Sequence, residues 1–191
     1  TVYAPNFVTN QLTVLSRANT FLSTISINDD GRTGIADVDL DGDIDVFYGS
    51  SLTGSFIIWD PNGGSVLLRR TGGTSTSGMP MAANLYDDTK DGKQKDFPEI
   101  LVVNTGKLIA YNVNYKTNAT PGVIWQITVD DGLGAAETSV TSFDFEGDGV
   151  EEILFLGEQQ LSIINASKLP VVVKASFDIA TATWAEHPII A

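Results

Sequence analysis

The residues best placed to do chemistry are carboxylates at alternating positions. Asp37, Asp39 and Asp41 precede Gly42, and Asp43 and Asp45 follow it. Such a run offers oxygen donors at the first, third and fifth places of a loop, a glycine at the tight bend, and another acid where regular structure resumes. Hard divalent cations take this arrangement, calcium accepting about 6 to 8 oxygens at about 2.3–2.6 Å, with a backbone carbonyl contributed from the seventh place. Acids this dense repel one another unless a cation sits among them. The loop is therefore expected to bind Ca2+ through Asp37, Asp39, Asp41, the Asp43 carbonyl and Asp45. A later loop keeps the same register, and Asp144, Glu146, Asp148, the Val150 carbonyl and Glu152 are expected to bind a second ion. Between the two, the stretch from Asn84 to Glu99 spans 15 steps where the others span 8, and Tyr86 takes its third place. Its ligands are expected among Asn84, Asp87, Asp88, Asp91, Asp96 and Glu99, the spacing leaving open which.

An EF-hand would need a bidentate Glu at the twelfth place and a helix on each side. Tyr48 and Phe155 stand there instead, each inside a strand-like run. Such runs dominate the chain: Ile44 to Tyr48, Phe56 to Trp59, Val66 to Leu68, Ile100 to Val103, Leu108 to Val113, Val123 to Val129, Ile153 to Leu156, Leu161 to Ile164 and Val171 to Phe177. They are short, rich in β-branched and aromatic residues, and separated by Gly, Asn, Asp and Pro, with no sustained helical period. The class is all-β.

The acidic loops sit at equivalent points of a repeat. Each is entered from a short strand and left through three more, and the loop starts Asp37, Asn84 and Asp144 lie 47 and 60 residues apart. Four strands per unit at this period describe the blade of a β-propeller. Residues 1–33 read as the end of a preceding blade, with strands at Leu12 to Leu15 and Phe21 to Ile27. Residues 34–77, 78–137 and 138–183 read as three repeats. Residues 184–191 read as the start of a fourth, because Pro188-Ile-Ile-Ala191 matches Pro80-Met-Ala-Ala83. The expectation is an arc of about three to four four-stranded antiparallel blades belonging to one propeller, its neighbours supplied by the parent protein or a partner.

Loops of this pattern between the first two strands of a blade resemble the FG-GAP or VCBS repeat family. That family builds calcium-binding propellers in integrin α-subunit heads, some bacterial surface adhesins and rhamnogalacturonan lyases. The resemblance implies a secreted or cell-surface, calcium-stabilised repeat module that serves cell adhesion or displays a glycan or protein ligand, and is not an enzyme. A fragment of a polysaccharide lyase similar to rhamnogalacturonan lyase, or an architectural spacer, are the alternatives. Lyase chemistry needs a base and charge-neutralising groups in a cleft, which no stretch of the sequence supplies.

Composition narrows the partners. A net charge of −13, from 11 basic and 24 acidic residues, repels nucleic acid and anionic membrane surfaces and favours small cations. No apolar run approaches the roughly 18 residues that cross a bilayer, so no membrane insertion is expected. With no Cys among 191 residues, neither disulfides nor thiolate sites can staple the fold. His187 is the only histidine, so no histidine pair can be built, and a structural role is expected for it. Trp59, Trp125 and Trp184 offer a sugar-stacking platform as one reading, but Trp59 and Trp125 fall in strand-like runs where a blade core needs bulk, so core packing is expected. Asn118-Ala-Thr120 and Asn165-Ala-Ser167 fit the glycosylation pattern, which is too frequent to carry a function.

Overall fold

The computed structural model describes residues 2–6, 11–15, 21–27, 31–50, 55–70, 76–86, 96–104, 106–113, 122–131, 139–148 and 150–179. They form fifteen strands in four antiparallel sheets. The first sheet holds β1 (Val2–Asn6), β2 (Gln11–Leu15) and β3 (Phe21–Ser26), in that order. The second holds β4 (Arg32–Ala36), β5 (Asp45–Gly49), β6 (Phe56–Asp60) and β7 (Ser65–Arg70). The third holds β8 (Thr76–Ala83), β9 (Glu99–Asn104), β10 (Lys107–Tyr111) and β11 (Val123–Thr128). The fourth holds β12 (Ser139–Phe143), β13 (Glu152–Leu156), β14 (Gln160–Asn165) and β15 (Val172–Asp178). Each is a meander in which neighbours in sequence are neighbours in space. The segment 184–191 and its match to the second repeat lie outside the described residues.

Strand β1 was not foreseen, because Ala4-Pro5 reads as a breaker.

The sheets share faces. Leu12, Val14 and Ile27 pack with Val46, Tyr48, Ile57 and Trp59, joining the first sheet to the second. Phe47, Phe56, Ile58 and Leu68 pack with Ile100, Val102, Ile109 and Tyr111, joining the second to the third. Leu101, Val103, Leu108 and Ala110 pack with Val140, Ile153, Phe155 and Ile164, joining the third to the fourth. Because β5 and β6 are covered on both faces, every residue in them is buried and the usual alternation disappears. Each fully buried Phe or Ile stabilises the stack by about 1.5–3 kcal/mol. Trp59 and Trp125 lie in these cores, as their strand positions suggested. Trp184 is outside the described residues.

One irregularity recurs. The last strand of every sheet carries a bulge at the same register: opposite Leu15 in the first sheet, Trp59 in the second, Tyr111 in the third and Ile164 in the fourth. The extra residue in the three complete sheets is Leu67, Ile124 and Lys174. A bulge re-aims its side chain relative to regular pleating, so these residues occupy equivalent places.

Candidate metal centre

The three acidic loops hang between the first and second strands of the three complete sheets, and each is closed by a buried acid at the start of the second strand. Asp45 accepts the Val38 N–H at 2.8 Å, Glu99 the Leu85 N–H at 2.9 Å and the Tyr86 N–H at 3.1 Å, and Glu152 the Phe145 N–H at 3.1 Å. All three acids are almost inaccessible to solvent. The bond pins the second residue of each loop to the sheet and thereby sets the loop's start.

In the first loop the chain winds tightly around its own carboxylates. Asp37 accepts the Asp41 and Gly42 N–H groups at 3.2 and 3.0 Å, Asp39 accepts the Asp41 N–H at 3.3 Å, and Asp41 accepts the Asp43 N–H at 2.8 Å. Gly42 has φ 99° and Leu40 has φ 57°. The place of Leu40 is taken in the third loop by Gly147, with φ 68°. Both loops thus make the same left-handed turn, and the first makes it with a residue for which that turn is unfavourable by about 1–2 kcal/mol.

This winding brings one oxygen each of Asp37, Asp39 and Asp45 within 4.8 Å of one another. Oxygens that share one calcium at about 2.3–2.6 Å lie at most about 5 Å apart, so the donor set fits that ion. Asp41 and Asp43 are exposed at the rim of the same loop. Among the described residues no ion pair reaches Asp37, Asp39, Asp41 or Asp45. A further acid faces the cluster: the register that sets Val46 opposite Trp59 sets Asp45 beside Asp60, itself buried. Burial pushes Asp45 up to about 7, with Asp39, Asp60 and Asp41 adding to the effect and the Val38 N–H opposing it. Burial, then the charges of Asp41, Asp37 and Asp60, also raises Asp39, against the Asp41 N–H. The loop is an excess of negative charge held in place by the backbone.

The third loop has the same backbone logic and a different charge balance. Asp144 accepts the Asp148 N–H at 3.0 Å and Asp148 the Val150 N–H at 3.0 Å. The remaining oxygen of the closing acid is already engaged. Glu152 Oε1 accepts the Asn165 amide at 3.0 Å and the Lys174 ammonium at 3.3 Å, and Lys174 also reaches Glu146 Oε1 at 2.6 Å. Hydrogen bonding to Glu146 is the main reason that Lys174 holds its proton more tightly than usual. Gly149 lies outside the described residues.

In the second loop, Glu99 accepts the Asn112 amide at 3.3 Å, and Asn84 donates to Asp96 at 2.9 Å. Asp87, Asp88 and Asp91 lie outside the described residues; of the expected set the described residues show Asn84 against Asp96, with Glu99 closing the loop's start.

Lys174, Asp60, Asn112 and Asn165 had not been singled out for these sites. The last three share one place, opposite the closing acid in the next strand. Asp60 accepts the Asn62 and Gly63 N–H groups at 2.8 Å, and Asn165 the Ser167 N–H at 3.0 Å, so this place also makes a side-chain-capped turn. The signal was present as an Asx residue at or just after the end of the third strand of every repeat. Asn165 had been noticed only for its glycosylation pattern.

No protein-family model and no curated protein matches the chain. Solved structures do. The chain is similar to Sqt1 of Saccharomyces cerevisiae at 14% identity and a TM-score of 0.63, over 91% of this chain and 48% of that one. It is similar to the Vibrio cholerae biofilm matrix protein Bap1 at 10% identity and a TM-score of 0.63, over 93% of this chain and 54% of that one. It is also similar to BBS1N, from its complex with ARL6DN, at 11% identity and a TM-score of 0.56, over 89% of this chain and 47% of that one. The fold is β-propeller-like. The chain spans about half the length of the solved chains it matches.

Proposed function

We propose that this chain is an arc of a calcium-stabilised β-propeller, part of a larger secreted or cell-surface protein that serves adhesion or ligand display. The observation that carries the calcium assignment is the first loop, where oxygens of Asp37, Asp39 and Asp45 converge within 4.8 Å. Asp37, Asp39, Asp41, the Asp43 carbonyl and Asp45 would hold the ion. Bound there, calcium neutralises the loop and ties the first strand of the blade to the second. It supplies no reaction chemistry. In a chain with no Cys, such a tie stands in for a disulfide.

The reading as an arc is supported by one position followed through the repeats. The second residue of each loop points onward, away from the preceding sheet. Val38 is buried against the third sheet and Leu85 against the fourth, each at 0% exposure. Phe145, in the same place of the last loop, is 43% exposed and touches Phe143 edge-on. Leu154 and Leu156, on the onward face of the fourth sheet, are only partly covered, while their counterparts Leu101 and Val103 are buried. A further blade would cover all four.

Calorimetric titration of metal-free protein with calcium tests the metal assignment. Saturable binding that disappears in Asp39→Ala and Asp45→Asn is expected, and absence of any first-loop site would end the assignment. Adhesion is tested by probing glycan and matrix-protein arrays in calcium and in chelator, with calcium-dependent retention expected.

A further inference from the structure

We infer that Lys174 is a built-in cation that takes the place of a metal in the third loop, so that this loop is closed without calcium while the first is not. The inference rests on the calcium assignment of the first loop for the contrast, but its core stands on the third loop alone.

Three observations meet at this residue. Its ammonium bridges Glu146, the third-place acid of the loop, and Glu152, the closing acid, at 2.6 and 3.3 Å. Those are two of the groups that a bound ion would hold together across the loop. Second, Lys174 arrives from outside the loop, on the bulge of β15, the place held by Leu67 and Ile124 in the other complete sheets. Only in the fourth sheet is the residue aimed by that bulge cationic. Third, the neighbouring place in this blade holds a donor, as Asn112 does in the third sheet. Asn165, which donates to Glu152 at 3.0 Å, stands where the second sheet has Asp60, a carboxylate that adds charge to Asp45 instead of donating to it.

The charge balance follows. Glu152 is buried and meets an amide donor, a backbone N–H and an ammonium, which together satisfy a carboxylate without a metal. A calcium ion entering between Glu146 and Glu152 would have to expel Lys174 from both and meet its charge at close range. Lysine suits the place, being a compact point charge on a flexible stem that can reach across a bulge.

The test counts calcium sites by calorimetry in the wild-type protein and in Lys174→Met, which keeps the stem and removes the charge. Lys174→Met is expected to bind one more calcium per chain than wild type, and the extra site is expected to vanish when Asp148→Ala is added. In chelator Lys174→Met is expected to melt below wild type, and calcium to restore it. If wild type binds no calcium and Lys174→Met binds one, the first-loop assignment fails and the role of Lys174 stands. If wild type already binds calcium at a site removed by Asp148→Ala, or if Lys174→Met gains none, the inference is overturned. Should Lys174→Met fail to fold, amine labelling of wild type decides the matter. The labelling rate of Lys174 is expected to be the same in calcium and chelator, and acceleration by calcium would show that the ion displaces it.

Discussion

The first and third loops begin from the same backbone plan and solve the same electrostatic problem differently. In both, a buried strand-opening acid grips the second loop amide, and alternating acids cap successive N–H groups. In the first, the charged groups acting on the closing acid Asp45 are the acids Asp39, Asp60 and Asp41. In the third, the corresponding neighbours are Asn165 and Lys174, a donor and a cation. A loop motif thus does not fix its own charge balance. That balance is set with two residues from other strands of the same blade.

The largest expected effect comes from Glu152. Replacing it by Ala removes the buried acceptor of the Asn165 amide and the Phe145 N–H together with the partner of Lys174, and should cost about 3 kcal/mol in calcium and in chelator alike. Urea denaturation under both conditions measures this, and a loss seen only in calcium would mean that the third loop depends on metal.

Asp45→Asn should behave in the opposite way. With calcium at a hundredfold excess over its Kd, wild type gains about 2.7 kcal/mol that the variant lacks. In chelator the variant should be as stable as wild type or more so, because it removes a buried charge repelled by Asp39 and Asp60. A variant destabilised equally in both conditions would place Asp45 in the same structural class as Glu152.

The pH response sharpens the contrast. The folded protein raises Asp45 from 3.8 to about 7, so between those values it binds this proton more tightly than the unfolded chain does. The stabilisation is complete below the unfolded value and is lost as pH rises towards about 7, so metal-free wild type should lose stability across that window relative to Asp45→Asn. Calcium binds the deprotonated form, and its stabilising effect should grow over the same range. Melting curves from pH 4 to 8 with and without chelator follow both trends. Parallel curves for wild type and variant in chelator would contradict the assignment.

The smallest expected effect is at Leu40. Glycine there should relieve the left-handed backbone and, after its own entropy cost in the unfolded chain, stabilise metal-free protein by up to about 1 kcal/mol. The third loop already has Gly147 in this place, so the change makes the two loops alike. A loss of stability would show that Leu40 contributes packing worth more than the strain.

Much of this architecture was legible in the chain. Runs such as Ile100 to Val103 and Ile153 to Leu156 announce strands because β-branched and aromatic residues suit a pleated, buried surface. The repeat of acid, glycine and strand places each loop at the same point of each unit. Local spacing also finds the closing acids Asp45 and Glu152, since a carboxylate eight residues after the loop's first acid is a property of the loop itself.

What local spacing does not contain is the environment of those acids. Lys174 lies 22 residues from Glu152 and meets it only because a bulge in β15 turns its side chain towards the loop. Asp60 reaches Asp45 only through the register of β5 on β6. Composition and the order of residues determined that this is an acidic, all-β chain. Tertiary structure decided that one loop has its cation on a side chain and that the other leaves its carboxylates without one among the described residues. The reason is that charge compensation acts through distances of a few ångströms in space, and in a sheet those distances are set by register and bulges, not by separation along the chain.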